Sequence, residues 1–155
     1  MSFRITGLKT EQFTHLFGLS DADLARQNAK RYVADTKPGF PCRVTLADAE
    51  PGETLLLVPF AHQTSKTAYA ASGPIFVHER TASGAEFIDE IPEQLKVRLI
   101  SLRAYDSDGM MRDADVVDGK DLKPLIERFL TDSTVAYLHA HFARRGCYAA
   151  RIERS

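Results

Sequence analysis

From Val135 to Ile152 the chain reads Val-Ala-Tyr-Leu-His-Ala-His-Phe-Ala-Arg-Arg-Gly-Cys-Tyr-Ala-Ala-Arg-Ile, and this stretch restricts the fold more than any other. Ala136, Leu138, Ala140 and Phe142 fall on one side of a period-two pattern, with Tyr137, His139 and His141 on the other. That is a strand half buried against a core. After Arg144-Arg145-Gly146 the alternation resumes, with Tyr148, Ala150 and Ile152 on one side and Cys147, Arg151 and Glu153 on the other. A two-residue loop would place Leu138 on the same face as Arg151. A loop of odd length keeps the apolar sides together: Arg144 to Gly146, with Gly146 supplying positive φ, or a five-residue loop of the same parity. The pattern therefore predicts a C-terminal β-hairpin that pairs His139 with Arg151, His141 with Ala149 and Ala143 with Cys147. One face is apolar. The other carries Tyr137, His139, His141, Cys147, Arg151 and Glu153.

The rest of the chain supplies partners for that hairpin. Phe3 to Ile5 reads as a strand, Thr10 as the cap of a helix bearing Phe13, Leu16 and Phe17, and Gly18 as its end. Ser20, three residues before Asp23, resembles the start of a second short helix. Arg31 to Ala34, Arg43 to Leu46, Thr54 to Val58, Pro74 to Glu79 and Ala114 to Val117 read as strands. Lys37-Pro38-Gly39-Phe40-Pro41 is a loop, because two prolines and a glycine interrupt any ladder. Pro59 marks the end of its strand or an edge, and Ala61 to Gly73 reads as a long polar loop. Leu95 to Tyr105 reads as a strand whose buried side changes at Leu99-Ile100, as at a bulge. Leu122, Leu125, Ile126, Phe129 and Leu130 follow helical spacing, with Asp121 as cap and Pro124 in the first turn. The expected architecture is one α+β domain over residues 1–155. It has a mostly antiparallel sheet, short N-terminal helices and one longer helix before the hairpin.

Composition excludes more than it identifies. A net charge of -1 over 155 residues gives no global attraction to nucleic acid. The N-terminal sequence lacks the order of a signal peptide, and no apolar run approaches the roughly 18 residues of a membrane span, so a cytoplasmic protein that meets neither membrane nor nucleic acid is expected. Cys42 and Cys147 are expected to be reduced thiols. The dinucleotide-binding, P-loop, zincin and nucleophile-elbow motifs are missing, so no cofactor class is indicated.

Three readings of the hairpin's polar face remain. Arg151, His139, His141 and Tyr137 form a donor-rich surface, which Arg98 and Arg103 of the Leu95 to Tyr105 strand could extend, and it suits a small anionic ligand, a phosphate or carboxylate, because the guanidinium fork binds such groups bidentately. Alternatively the same pocket is an enzyme site. There Cys147 and His141, or Cys42 and any histidine, would act as a thiol–imidazole pair, or His139 and His141 would be metal ligands completed by Cys147, His62 or His78 if the fold brings one near. In the third reading the face is a protein-interaction surface. A concave site favours the first two and a flat one the third.

At Gly39-Phe-Pro-Cys-Arg43, Asp48-Ala-Glu-Pro-Gly-Glu53, Ser72-Gly-Pro-Ile-Phe-Val-His-Glu79 and Leu138 to Ile152 the chain resembles a bacterial family known as domain of unknown function 1203. The resemblance runs from Met1 to the C-terminus. It implies a single-domain bacterial protein and does not imply a substrate.

Overall fold

The computed structural model describes residues 1–155. In chain order its regular elements are β1 (Phe3–Thr6), α1 (Asp21–Arg26), β2 (Lys30–Val33), β3 (Thr54–Gln63), β4 (Ala71–His78), β5 (Glu86–Ile88), α2 (Glu93–Lys96), β6 (Leu99–Tyr105), β7 (Met111–Asp118), α3 (Leu122–Thr131), β8 (Tyr137–Phe142) and β9 (Tyr148–Arg154). Six strands make one sheet in the order β5-β1-β9-β8-β6-β7, and three make a second in the order β2-β3-β4. Every strand pairing is antiparallel. The expected α+β class and C-terminal hairpin are both present. No helix is long and apolar enough to cross a membrane.

The apolar sides of β8 and β9 face α3, as the alternation requires. Leu138, Ala140, Phe142, Ala150 and Ile152 join Ile100, Leu102 and Ala104 of β6 and Leu122, Leu125, Ile126, Phe129 and Leu130 of α3 in a cluster of 20 buried residues. A second cluster of 13, from Phe13 to Val77, fills the space between the three-stranded sheet and the N-terminal helical turns. The far end of β3 reaches the opposite face of the large sheet, where the Phe60 ring lies 5.7 Å from that of Tyr148. The hairpin is thus covered on both sides, and all six residues of β8 are buried.

Several elements differ from the sequence reading, each for a local reason. Arg43 to Leu46 is a turn, not a strand: the Leu46 amide bonds the Cys42 carbonyl at 3.1 Å, and Leu46 has φ +53°. Leu95 to Tyr105 is two elements, because Leu95 belongs to α2 and the strand starts at Leu99. The change of buried side is a helix-to-strand transition and not a bulge. β3 continues through Pro59 to Gln63, which shortens the expected loop to residues 64–70. Pro59 is tolerated because β2 pairs only with Thr54 to Leu57, so no neighbour on that side needs its missing amide. The helix expected after Thr10 is two single 3-10 turns, with Phe13 and Leu16 buried as the spacing requires. The Asp121 side chain makes no capping bond to α3.

The hairpin connection spans Ala143 to Cys147, the five-residue alternative, and Gly146 has φ +80°. His139 faces Arg151 as expected, but His141 faces Tyr148, because Ala149 is an extra residue on β9. This bulge turns Tyr148 from the apolar face to the histidine face. The Cys147 carbonyl accepts from Phe142 and not from Ala143.

Candidate functional site

Two β-bulges assemble a buried cluster of rings on the histidine face of the large sheet. In β3 the register skips from Ala61 to Gln63, so His62 is the unpaired residue. In β9 the skip at Ala149 delivers Tyr148. A bulge re-aims a side chain in this way by adding one residue against an uninterrupted partner. The two re-aimed rings stack, 5.7 Å between centroids and 11° between planes. His62 also lies edge-on to His141 at 4.9 Å. Tyr105, Tyr137 and His139 extend the cluster, and Gln63 donates to the Tyr137 hydroxyl at 2.9 Å.

Electrostatics keeps these imidazoles neutral. Burial pushes His139 down to about 3, helped by His141, Arg151, His62 and Arg103. Burial likewise pushes His141 down to about 4 against the opposing pull of the Gly146 carbonyl. His62 is lowered by burial and by Arg103. Burial raises the Tyr148 phenol, which stays protonated. His141 Nδ1 lies 3.0 Å from the Gly146 oxygen. A carbonyl only accepts, so this nitrogen holds the proton and Nε2 carries the lone pair.

At the turn end of the same hairpin the surface opens into a cleft of about 750 Å³. Arg43, Lys96, Arg98, Lys120, Arg144 and Arg145 line it, with Asp118 as its one carboxylate and Cys147 among its walls. Arg43 is 1% exposed and has no carboxylate partner. It donates to the Tyr148 carbonyl at 2.8 Å, the Pro41 carbonyl at 2.6 Å and Cys147 Sγ at 3.0 Å. Arg98 is held bidentately by Asp48 at 2.6 and 2.9 Å. The Phe142 ring sits between these two guanidiniums, 4.8 Å from Arg43 and 5.0 Å from Arg98. Burial lowers Arg43 from its ordinary value. Gly119 lets the Asp118-Lys120 wall approach: a Cβ there would stand 1.7 Å from the Leu95 carbonyl oxygen.

The residues singled out from sequence divide between these places. His139, His141 and Tyr137 lie in the ring cluster, and His62 completes it. Arg151 lies at its rim, with its guanidinium 4.0 Å over the Tyr137 ring and Nε 3.2 Å from Glu153. Both charges of that pair are about 40% exposed, so it contributes under about 1 kcal/mol. Cys147 stands in the basic cleft with Arg43 as its partner, while His141 bonds Gly146. Of Arg98 and Arg103, both read from the sequence as candidates for an anion pocket, Arg98 lines the cleft and Arg103 does not. Arg43, Lys96, Lys120 and Tyr148 were not legible as site residues: three come from turns and element ends that carry no periodic signal, and Tyr148 counts as apolar until the bulge is known.

Cys42 and His78 meet elsewhere, in the smaller core. Burial works against ionising the Cys42 thiol, but contacts with His78 and Thr45 outweigh it and bring it down to about 6. The geometry is less favourable: the His78 backbone amide donates to Sγ at 3.4 Å, and neither His78 ring nitrogen has a hydrogen-bond partner. With Cys42 0% exposed, we take this thiol as a packing residue.

The fold and sites define an antiparallel α+β protein whose last hairpin separates a basic cleft from a buried histidine cluster. The sequence model of a family described as "Protein of unknown function (DUF1203)" matches residues 39–154, and the chain belongs to that family. The matched span contains every charged side chain of the cleft and every residue of the ring cluster. No curated protein and no solved structure matches the chain.

Proposed function

We propose that the protein binds a small anionic ligand, bearing a phosphate or carboxylate group, in the cleft at the turn end of its C-terminal hairpin. One observation supports this above others: six cationic side chains and a single carboxylate face one concave space. Like charges repel, so such a lining is favoured when an anion neutralises it. Arg144 and Arg145 on the hairpin turn, with Lys96 and Lys120 opposite, are the exposed contacts. Arg43 and Arg98 are held in place beneath them by protein groups. Arg151, His139, His141 and Tyr137 do not line this cleft and have a separate role.

A second reading keeps the same cleft and makes Cys147 its reactive group, because its sulfur lies 3.0 Å from a buried guanidinium among arginines. One experiment addresses both. The alkylation rate of Cys147 by anionic iodoacetate is divided by its rate with neutral iodoacetamide, and the quotient is compared with that of a small free thiol. Anion attraction raises the quotient several-fold, and either added salt or Arg144→Ser/Arg145→Ser lowers it. A quotient equal to that of the free thiol, with no thermal stabilisation by millimolar phosphate, pyrophosphate or citrate, removes the anion reading. A Cys147 that labels only after denaturation removes the thiol reading alone.

A further inference from the structure

The histidine cluster lies outside the anion cleft and needs its own explanation. One ring nitrogen from each of His62, His139 and His141 lies within 4.8 Å of the other two. His139 and His141 are 3% and 1% exposed. Each of the three retains a buried ring nitrogen without a hydrogen-bond partner: Nδ1 of His62, Nδ1 of His139 and Nε2 of His141. Buried polar atoms are ordinarily paired, so three unpaired in one cluster call for a common partner. Nε2 of His141 is a lone pair, because its Nδ1 proton goes to Gly146, and His62 and His139 in the tautomers that leave Nδ1 unprotonated would present three lone pairs to one cation.

The His141 ring is already held as metal-bound histidines are held. Its Nδ1 donates to the Gly146 carbonyl at 3.0 Å, which fixes ring orientation and turns the free nitrogen inward. His139 shares its strand and its face, so two ligands come from the rigid centre of the six-stranded sheet. The third comes from a bulge, and the bulge has no effect on pairing other than to turn His62 out of the ladder.

We propose that His62, His139 and His141 form a site for one divalent transition-metal ion of the zinc type, with three imidazole ligands and an open coordination position. Imidazole nitrogen suits zinc, copper or nickel and does not suit calcium or magnesium. Three protein ligands with a position left over is the arrangement of zinc sites that bind water or substrate, whereas structural sites close all four. With metal–nitrogen bonds of about 2.0–2.1 Å the ligand atoms of a tetrahedral ion stand about 3.4 Å apart, so from separations of up to 4.8 Å the cluster must draw in by up to about 1.4 Å. His62 is the ligand free to move, being half-buried at the end of β3 next to the 64–70 loop. Arg103 on β6 and Arg151 on β9 both stand opposite His139. Glu153 partners Arg151, and no carboxylate partners Arg103. A fixed guanidinium beside a dication favours an anion, hydroxide or an oxyanion, as the fourth ligand.

The test uses the full chain, stripped with a chelator and titrated with cobalt(II), then with zinc(II) in competition. The expected result is one equivalent of cobalt giving visible absorption of a nitrogen- and oxygen-bound ion, without a thiolate-to-cobalt charge-transfer band, and displaced by zinc. His62→Phe keeps a ring against Tyr148 and weakens binding about 100-fold or more, while His15→Ala, at an exposed histidine outside the cluster, changes nothing. Binding by His62→Phe equal to wild type overturns the proposal. So does a charge-transfer band, which would place the ion on a cysteine, Cys42 or Cys147, and so does the absence of binding at micromolar cobalt. If His139→Ala fails to fold, the wild-type stoichiometry and spectrum and the His62→Phe comparison still decide. Loss of anion binding in the cleft leaves this result untouched.

Discussion

Burying a histidine without a carboxylate beside it ties stability to pH, and here two such residues share one strand. His139 and His141 would titrate near 6.5 in the unfolded chain and at about 3 and about 4 in the folded one. Between those values the unfolded state holds more protons, so stability rises with pH across the window and falls as pH drops below 6.5. At about 1.4 kcal/mol per unit for each histidine, metal-free protein should be about 4 kcal/mol less stable at pH 5 than at pH 7 as far as this pair is concerned. His78 works the other way, because its contact with Cys42 raises it and its charged form gains in the fold. The pair is therefore isolated by difference: urea unfolding of wild type and of His141→Gln, with chelator present, should show the shallower pH slope in the variant. Equal slopes would mean that burial does not hold His141 neutral.

At the scale of elements, what could be read from the sequence depended on whether periodicity ran unbroken. The alternation of β8 and the spacing of α3 place the hairpin and its covering helix, and the His139–Arg151 pairing follows from parity alone. A bulge leaves no compositional mark, so neither His62 nor Tyr148 could be assigned to the site by counting residues. Leu95 and Leu99 are four apart, a spacing that a helical turn and an alternating strand both satisfy, and the short α2 was lost in that ambiguity. Arg154, at the end of β9, carries no periodic signal, yet it anchors the end of α3. Its guanidinium donates to the carbonyls of Leu130 at 2.6 Å, Asp132 at 2.9 Å and Val135 at 2.6 Å. Helix C-termini expose carbonyls that lack partners, and a cation there meets both the hydrogen bonds and the dipole. Arg154→Met should cost about 1–3 kcal/mol in urea unfolding, whereas Arg145→Met in the cleft should stay within about 0.5 kcal/mol.

On the scale of the whole molecule, two hydrophobic clusters share one chain, and the path of that chain argues that they unfold together. β1 opens the six-stranded sheet, the chain leaves to build β2, β3 and β4, and it returns with β5 to β9. The three-stranded sheet is thus an insertion whose two ends are held where β1 pairs with both β5 and β9. Its cluster of 13 buried residues draws on fewer than about 80 residues, a size at which a core alone rarely supplies more than about 3–5 kcal/mol. The contacts between the halves combine buried hydrogen bonds, Arg43 to the Tyr148 carbonyl and Gln63 to Tyr137, with ring contacts of Phe60 and His62 on Tyr148. Separating the halves would expose the Arg43 charge to water, but it would strand the insertion without the support it needs. We therefore expect residues 1–155 to behave as one domain. The chain has no tryptophan, so near-ultraviolet dichroism reports its tyrosines, of which Tyr105, Tyr137 and Tyr148 lie in the ring cluster. That signal and the far-ultraviolet signal should lose amplitude at the same urea concentration, with calorimetric and van't Hoff enthalpies equal. Two separated transitions, the tyrosine signal disappearing while strand signal persists, would show that the larger sheet stands without the insertion and that the chain is two folding units.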